Sequence, residues 1–255
     1  MPLEIVTVPC RTDNYAFLLH EAANGATALI DAPDSTPIEA ALAERGWGLE
    51  AIWITHHHDD HVAGVDTLRS AFGARVLGAA ADAHRLPPLD ATLEDGATFT
   101  FAGHEVHVMD VSGHTIGHIA FYVPDAKAAF TADSLMACGC GRVFEGSMPQ
   151  MWESLSRLAA LPPDTLICSG HEYTAANARF ALTIEPQNAA LISRNEEIVS
   201  ARAHGTPTVP SALSLELETN PFLRAGLPSV KADIGLPDAS DAEAFAEIRR
   251  RKDAF

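Results

Sequence analysis

Short apolar segments broken by turns run through the first two-thirds of this chain, and they limit its possible folds more than any other feature. Segments 3–8, 17–20, 27–31 and 51–55 are rich in β-branched and aliphatic residues and are expected to be strands. Segments 75–77, 98–101, 105–109, 120–123, 128–131 and 165–168 continue the series. At 36–45, 62–72 and 150–160 the apolar spacing shifts toward three and four, which predicts helices. Strands and helices mixed in this way, with hairpin-like neighbours, predict two sheets with helices outside, an α+β chain.

After about Glu172 the character changes. Segments 173–182, 188–204 and 241–252 read as helices, with no convincing strand among them, and 211–219 is ambiguous. Breaks at Asn220-Pro221 and Leu236-Pro237 divide the remainder. Residues 1–171 are therefore expected to form one domain and 172–255 a smaller, mostly helical one. With 47% hydrophobic residues in 255, a sizeable core can form.

The formal net charge of −17 argues against nucleic acid or an anionic membrane as a partner. It makes the cluster Arg249, Arg250, Arg251 and Lys252 conspicuous. No apolar run is long enough to cross a bilayer and the N-terminus lacks a signal-peptide pattern, so a cytoplasmic protein is expected. Cys10, Cys138, Cys140 and Cys168 are accordingly expected to be reduced, and Cys138-Gly139-Cys140 lacks the spacing of a zinc or redox motif. Nothing signals an oligomer, and a monomer is expected.

The decisive stretch is Thr55-His56-His57-His58-Asp59-Asp60-His61, directly after the strand 51–55. His56 and His58 are two apart, so extended backbone puts both imidazoles on one face. Asp60 and His61 are adjacent and expected to point apart, at a strand-to-helix turn before a helix beginning at Val62. Like-charged carboxylates packed beside a buried strand need cations to be tolerated, and imidazole and carboxylate ligands suit zinc, iron or manganese. One cluster cannot fill two coordination spheres. Further candidates are His114, Asp133 and His171, each following an expected strand and standing beside Gly or Ser.

Residues 55–61 resemble the THxHxDH signature of the metallo-β-lactamase superfamily, and His114, Asp133 and His171 match its later ligands in order and context. The resemblance implies an αββα sandwich with two metal ions at one edge. His56, His58 and His114 would hold the first ion, Asp60, His61 and His171 the second, and Asp133 would bridge them. Asp31 resembles the supporting aspartate of the family.

Three further segments narrow the resemblance to the glyoxalase II family: Gly139-Cys140-Gly141-Arg142-Val143-Phe144-Glu145-Gly146, then His171-Glu172-Tyr173-Thr174, then Asn220-Pro221-Phe222-Leu223-Arg224 with the basic run at 249–252. This likeness implies hydrolysis of S-(2-hydroxyacyl)glutathione thioesters, chiefly S-D-lactoylglutathione, by a metal-bridging hydroxide, with Asp60 and Asp133 catalytic. The implied cofactors are two divalent ions, zinc foremost, with iron or manganese also accommodated. Arg142, Phe144, Tyr173, Arg249 and Lys252 would bind the glutathione moiety. Phe144 and Arg142 stand where many members have Tyr and Lys. The rival readings are a persulfide dioxygenase with a single iron, which also uses glutathione derivatives, and a non-catalytic scaffold.

Overall fold

A computed structural model describes residues 3–255. The chain divides into two compact units: residues through Val111 with Ile116–Ala132, and Ser112–Thr115 with Asp133–Phe255.

The first unit opens with strands β1 (Glu4–Cys10), β2 (Asn14–Glu21) and β3 (Ala26–Ile30), paired antiparallel in turn. Helix α1 (Ser35–Arg45) then returns the chain so that β4 (Ala51–Trp53) lies parallel to β3. Helices α2 (Asp59–Val62) and α3 (Val65–Phe72) lead to β5 (Arg75–Ala79) and β6 (Ala91–Leu93), both parallel. Among the described residues these make a six-stranded sheet in the order β1-β2-β3-β4-β5-β6. An antiparallel meander follows: β7 (Thr98–Phe101), β8 (His104–Asp110), β9 (Ile119–Val123) and β10 (Ala128–Ala132).

Every residue of β2 and β3 is buried, because both faces of the sheet are covered. On one face Leu18, Leu29, Ile52 and Val76 pack with Ile38 and Leu42 of α1 and Val65 and Leu68 of α3. On the other, Trp53 meets Phe99 and Phe101 of β7 edge-on at 5.1 and 5.4 Å, and Phe17 meets Phe130 of β10 at 5.8 Å. The two expected sheets therefore stack within this unit through aromatic side chains.

The second unit begins with a tight hairpin, β11 (Leu135–Met136) and β12 (Gly139–Cys140). Helix α4 (Met148–Ala159) starts at a capping box of Ser147 and Gln150. Strand β13 (Leu166–Ser169), helices α5 (Thr174–Ile184) and α6 (Ala189–Ala203), strand β14 (Ser211–Ala212) and helices α7 (Leu213–Thr219), α8 (Pro228–Asp233) and α9 (Asp241–Ala254) complete it. Ser240 and Glu243 form a second capping box at α9. Phe180, Phe222 and Phe245, each fully buried, form the aromatic centre of the helical part.

One expectation is corrected and one ambiguity is resolved. The helix expected at 62–72 is two helices broken at Ala63 and Gly64. Gly64 lies so close to the loop before α1 that a Cβ there would stand 2.9 Å from the Ser35 nitrogen, and its N–H donates to the Ala32 carbonyl at 2.8 Å. Strand β14 pairs with Leu166 and Ile167. The ambiguous 211–219 segment resolves as that strand followed by α7.

Candidate metal centre

In the first unit a histidine and carboxylate cluster is built around Asp31. This residue ends the strand run of β3 in the left-handed region, with φ 57°, which turns its carboxylate inward. Oδ1 accepts the Thr55 backbone N–H at 2.9 Å, while Oδ2 accepts the Thr55 hydroxyl at 2.8 Å and His61 Nδ1 at 2.7 Å. A carboxylate can only accept, so His61 carries its proton on Nδ1 and presents Nε2 as a ligand atom. Asp31 thus ties Thr55 and His61 together through one buried carboxylate.

His56 Nε2 and His58 Nδ1 lie 3.1 Å apart, as expected for alternate residues of an extended segment. The His56 and His61 rings approach to 4.2 Å. Asp31, His56 and His61 each offer a ligand atom within 4.8 Å of the others. Asp60 and His61, expected to point apart, instead converge, with Asp60 Oδ2 3.9 Å from His61 Nε2. The reason is that α2 already begins at Asp59, and helical backbone turns neighbours by only about 100°. Asn14 donates to the backbone oxygen of Asp60 at 3.1 Å and to its Oδ2 at 3.0 Å. His57 is turned aside, its Nδ1 3.0 Å from the buried carboxylate of Asp82, which also accepts Arg85 Nε at 2.6 Å.

In the second unit one carboxylate oxygen organises a cluster of its own. Asp133 Oδ2 lies 3.5 Å from His114 Nε2 and 3.4 Å from His171 Nε2. His114 donates from Nδ1 to the Arg142 carbonyl at 2.8 Å, which leaves Nε2 as its ligand atom. Two imidazole nitrogens flanking one carboxylate oxygen suit a carboxylate shared between divalent ions. In both units the second nitrogen of a key histidine is tied to an acceptor, as metal ligands require. The donor set therefore fits divalent metal.

Around this carboxylate, Phe144 lies edge-on to His114 at 5.3 Å and the Tyr173 ring stacks on His171 at 4.6 Å. Phe144 is 59% and Tyr173 40% exposed, so both rings offer surface to a ligand. Arg142 is accessible and donates to Asp253 at 3.3 Å. Arg249 differs from a free surface cation. It is buried, pairs with Asp253 at 2.9 Å and donates to the Cys140 carbonyl at 2.9 Å. Lys252 donates to the Ala176 carbonyl at 3.2 Å, and burial, reinforced by Arg249 and Arg179, lowers its pKa to about 8.

Asn14 and Asp82 carried no motif in the sequence, since each acts across more than twenty residues. The cysteines are free and buried, and burial pushes the Cys10, Cys138 and Cys140 thiols up to about 11, 12 and 11. They stay protonated.

Comparison with known proteins agrees with this chemistry. Residues 12–171 match the family model for the metallo-beta-lactamase superfamily, and 172–255 match that for the hydroxyacylglutathione hydrolase C-terminus. A hydroxyacylglutathione hydrolase of Roseobacter denitrificans is 65% identical over 255 residues, covering 100% of both chains. The crystal structure of the BLEG-1 B3 metallo-beta-lactamase superposes with a TM-score of 0.68 at 19% identity, covering 86% of this chain and 99% of that one. That of TTHA1623 in a di-iron-bound form gives 0.62 at 25% identity, covering 88% and 100%.

Proposed function

The chain belongs to the hydroxyacylglutathione hydrolase family, on the metallo-β-lactamase fold, and from this premise we propose that it hydrolyses S-(2-hydroxyacyl)glutathione thioesters, chiefly S-D-lactoylglutathione to D-lactate and glutathione. The observation that carries the reading is Asp133 Oδ2 flanked by the Nε2 atoms of His114 and His171. His56, His58 and His114 would hold one ion, Asp60, His61 and His171 the other, and Asp133 both. Zinc is the first candidate for these ligands; a neighbour in di-iron form makes iron the second, and manganese the third.

Such ions supply a water acidified to a pKa of about 7 and Lewis-acid polarisation of the thioester carbonyl. The protein supplies the rest. Asp133 and Asp60 accept hydrogen bonds from the attacking water and orient it. Asp31 and the Arg142 carbonyl hold His61 and His114 in the tautomers that binding needs. The leaving thiolate has a conjugate acid of pKa about 8.5, so no strong general acid is required. Glutathione thioesters carry two carboxylates, and a chain of net charge −17 must meet them with local cations. Arg142 and Lys252 would do so. Phe144 and Tyr173 would pack on the peptide, and Arg249 would act through Asp253 and the Cys140 carbonyl, to which it is bonded. The 65% identity to a hydrolase along the whole chain disfavours the dioxygenase and scaffold readings.

The test is thiol release from S-D-lactoylglutathione beside metal quantification. Asp133→Ala should lose bound metal and lower kcat by more than the ~10–100-fold that loss of an outer partner alone costs. Unchanged turnover in a metal-quantified Asp133→Ala protein would remove the mechanism.

A further inference from the structure

The hairpin of β11 and β12 spans the short distance between Asp133 and Arg142, the residue whose carbonyl holds His114. Leu135 pairs with Cys140, Met136 with Gly139, and the Gly141 N–H donates to the Ser134 carbonyl at 3.1 Å. The stem therefore runs straight onto the ligand and its support. There is no slack at the join, since a Cβ at Gly141 would stand 1.9 Å from the Asp133 carbonyl oxygen and 3.0 Å from His114 Nδ1.

This hairpin is too short to hold itself, and its tip is strained. Cys138 lies at φ 54°, a region that non-glycine residues occupy only at a cost. Side chains from later in the chain take up its backbone groups. Glu216 Oε2 accepts the Cys138 N–H at 2.8 Å. The Asn220 amide donates to the Met136 and Gly139 carbonyls at 3.1 and 2.9 Å, and to Glu216 Oε2 at 3.1 Å. Asn177 donates to the Ala137 carbonyl at 3.1 Å.

Glu216 is fully buried, as is its cationic partner Arg194 save for a few per cent of its surface. The other oxygen, Oε1, accepts from Arg194 and from the Ser211 hydroxyl at 2.6 Å. Four donors thus converge on one carboxylate, which matches its capacity of about four lone-pair sites. Burying a charge this deeply is unfavourable unless each site is used. Nothing in thioester hydrolysis requires it there. What it does is present the Cys138 N–H and the Asn220 amide with an acceptor that cannot rotate away.

We infer that Glu216, with Asn220, is a positioning residue for the metal centre, fixing the hairpin so that Asp133 and the Arg142 carbonyl hold their places about His114. This rests on the reading of Asp133 and His114 as ligands. An amide in place of the carboxylate turns an NH2 group toward donors. Glu216→Gln is therefore isosteric yet breaks the grip.

The full-length apoprotein is titrated with cobalt(II) alone, following its visible absorption, and thiol release is measured on the loaded proteins. Glu216→Gln is expected to weaken the second cobalt equivalent by about 10- to 100-fold and to lower kcat by a similar factor, with KM within about twofold. Asn177→Ala, which removes one bond to the hairpin, is expected to shift both readouts the same way by less. Ser211→Ala, which touches only the far oxygen of Glu216, is expected to leave both unmoved. An unaltered second equivalent and kcat in folded Glu216→Gln overturn the inference, even if its melting temperature falls. If that variant does not fold, the same result in Asn177→Ala overturns it. Losses of equal size in Ser211→Ala overturn it too. A wild-type chain that binds fewer than two cobalt ions instead overturns the ligand reading beneath it.

Discussion

Asp31 and Lys252 show how much a single side chain takes from its surroundings. Asp31 accepts three hydrogen bonds while its backbone stands at φ 57°, so one residue sets both the turn after β3 and the tautomer of His61. Lys252 is the opposite case, a cation whose charge is weakened by burial and by Arg249 and Arg179. Its depressed pKa means that the charged form is disfavoured in the folded state. That penalty is present below about 8 and is relieved as pH rises from there toward the ordinary 10.5. If Lys252 meets a substrate carboxylate, kcat/KM for S-D-lactoylglutathione should fall as pH rises through about 8, because the free enzyme then loses the cation. Lys252→Arg should move that inflection out of the accessible range. An unchanged inflection in that variant would show that another group titrates.

Among elements, the joint between β2, the start of β8 and the turn after β9 rests on His104. Its Nε2 lies 2.8 Å from Glu21 and its Nδ1 2.7 Å from Asp125. Hydrogen bonds to Asp125, then Glu21, raise its pKa above the ordinary 6.5. A raised folded-state value adds stability that is complete below 6.5 and lost as pH rises through the higher value. The melting temperature of wild type should therefore fall, relative to His104→Ala, as pH is raised from mildly acid to alkaline. Parallel curves for the two proteins would refute the joint.

The elements also show where pattern reading stops. Strands such as β2, β3 and β9 were legible because β-branched and aliphatic runs between turns have few other uses. β6, β11, β12 and β14, of two or three residues each, were not, because pairing partners and not composition define them. Helix α8 was missed for a related reason, being a six-residue helix. The break between α2 and α3 needed the contact of Gly64 with a loop thirty residues earlier.

At the scale of the molecule, acidity and metal binding are linked. A chain of charge −17 gains from any bound cation, and ions that bind only the folded form stabilise it by mass action. At a thousandfold excess over Kd one ion adds about 4 kcal/mol. Chelation should accordingly lower the melting temperature by several degrees, and zinc should restore it. A melting temperature indifferent to chelator would mean that the ligand groups hold no ion in the folded protein. No helix among the described residues is long and apolar enough to cross a membrane.

The sequence by itself determined which side chains are candidate ligands, because His56 and His58 share a face through local backbone geometry, and His114, Asp133 and His171 each follow a strand. Only the tertiary structure decided how those groups are held. Asp31 reaches His61 across thirty residues, Glu216 reaches Cys138 across seventy-eight, and Arg249 is buried against Cys140 across more than a hundred. Spacing along a chain encodes neighbours within a turn or a strand, whereas a hydrogen bond between distant segments exists only once packing has brought them together.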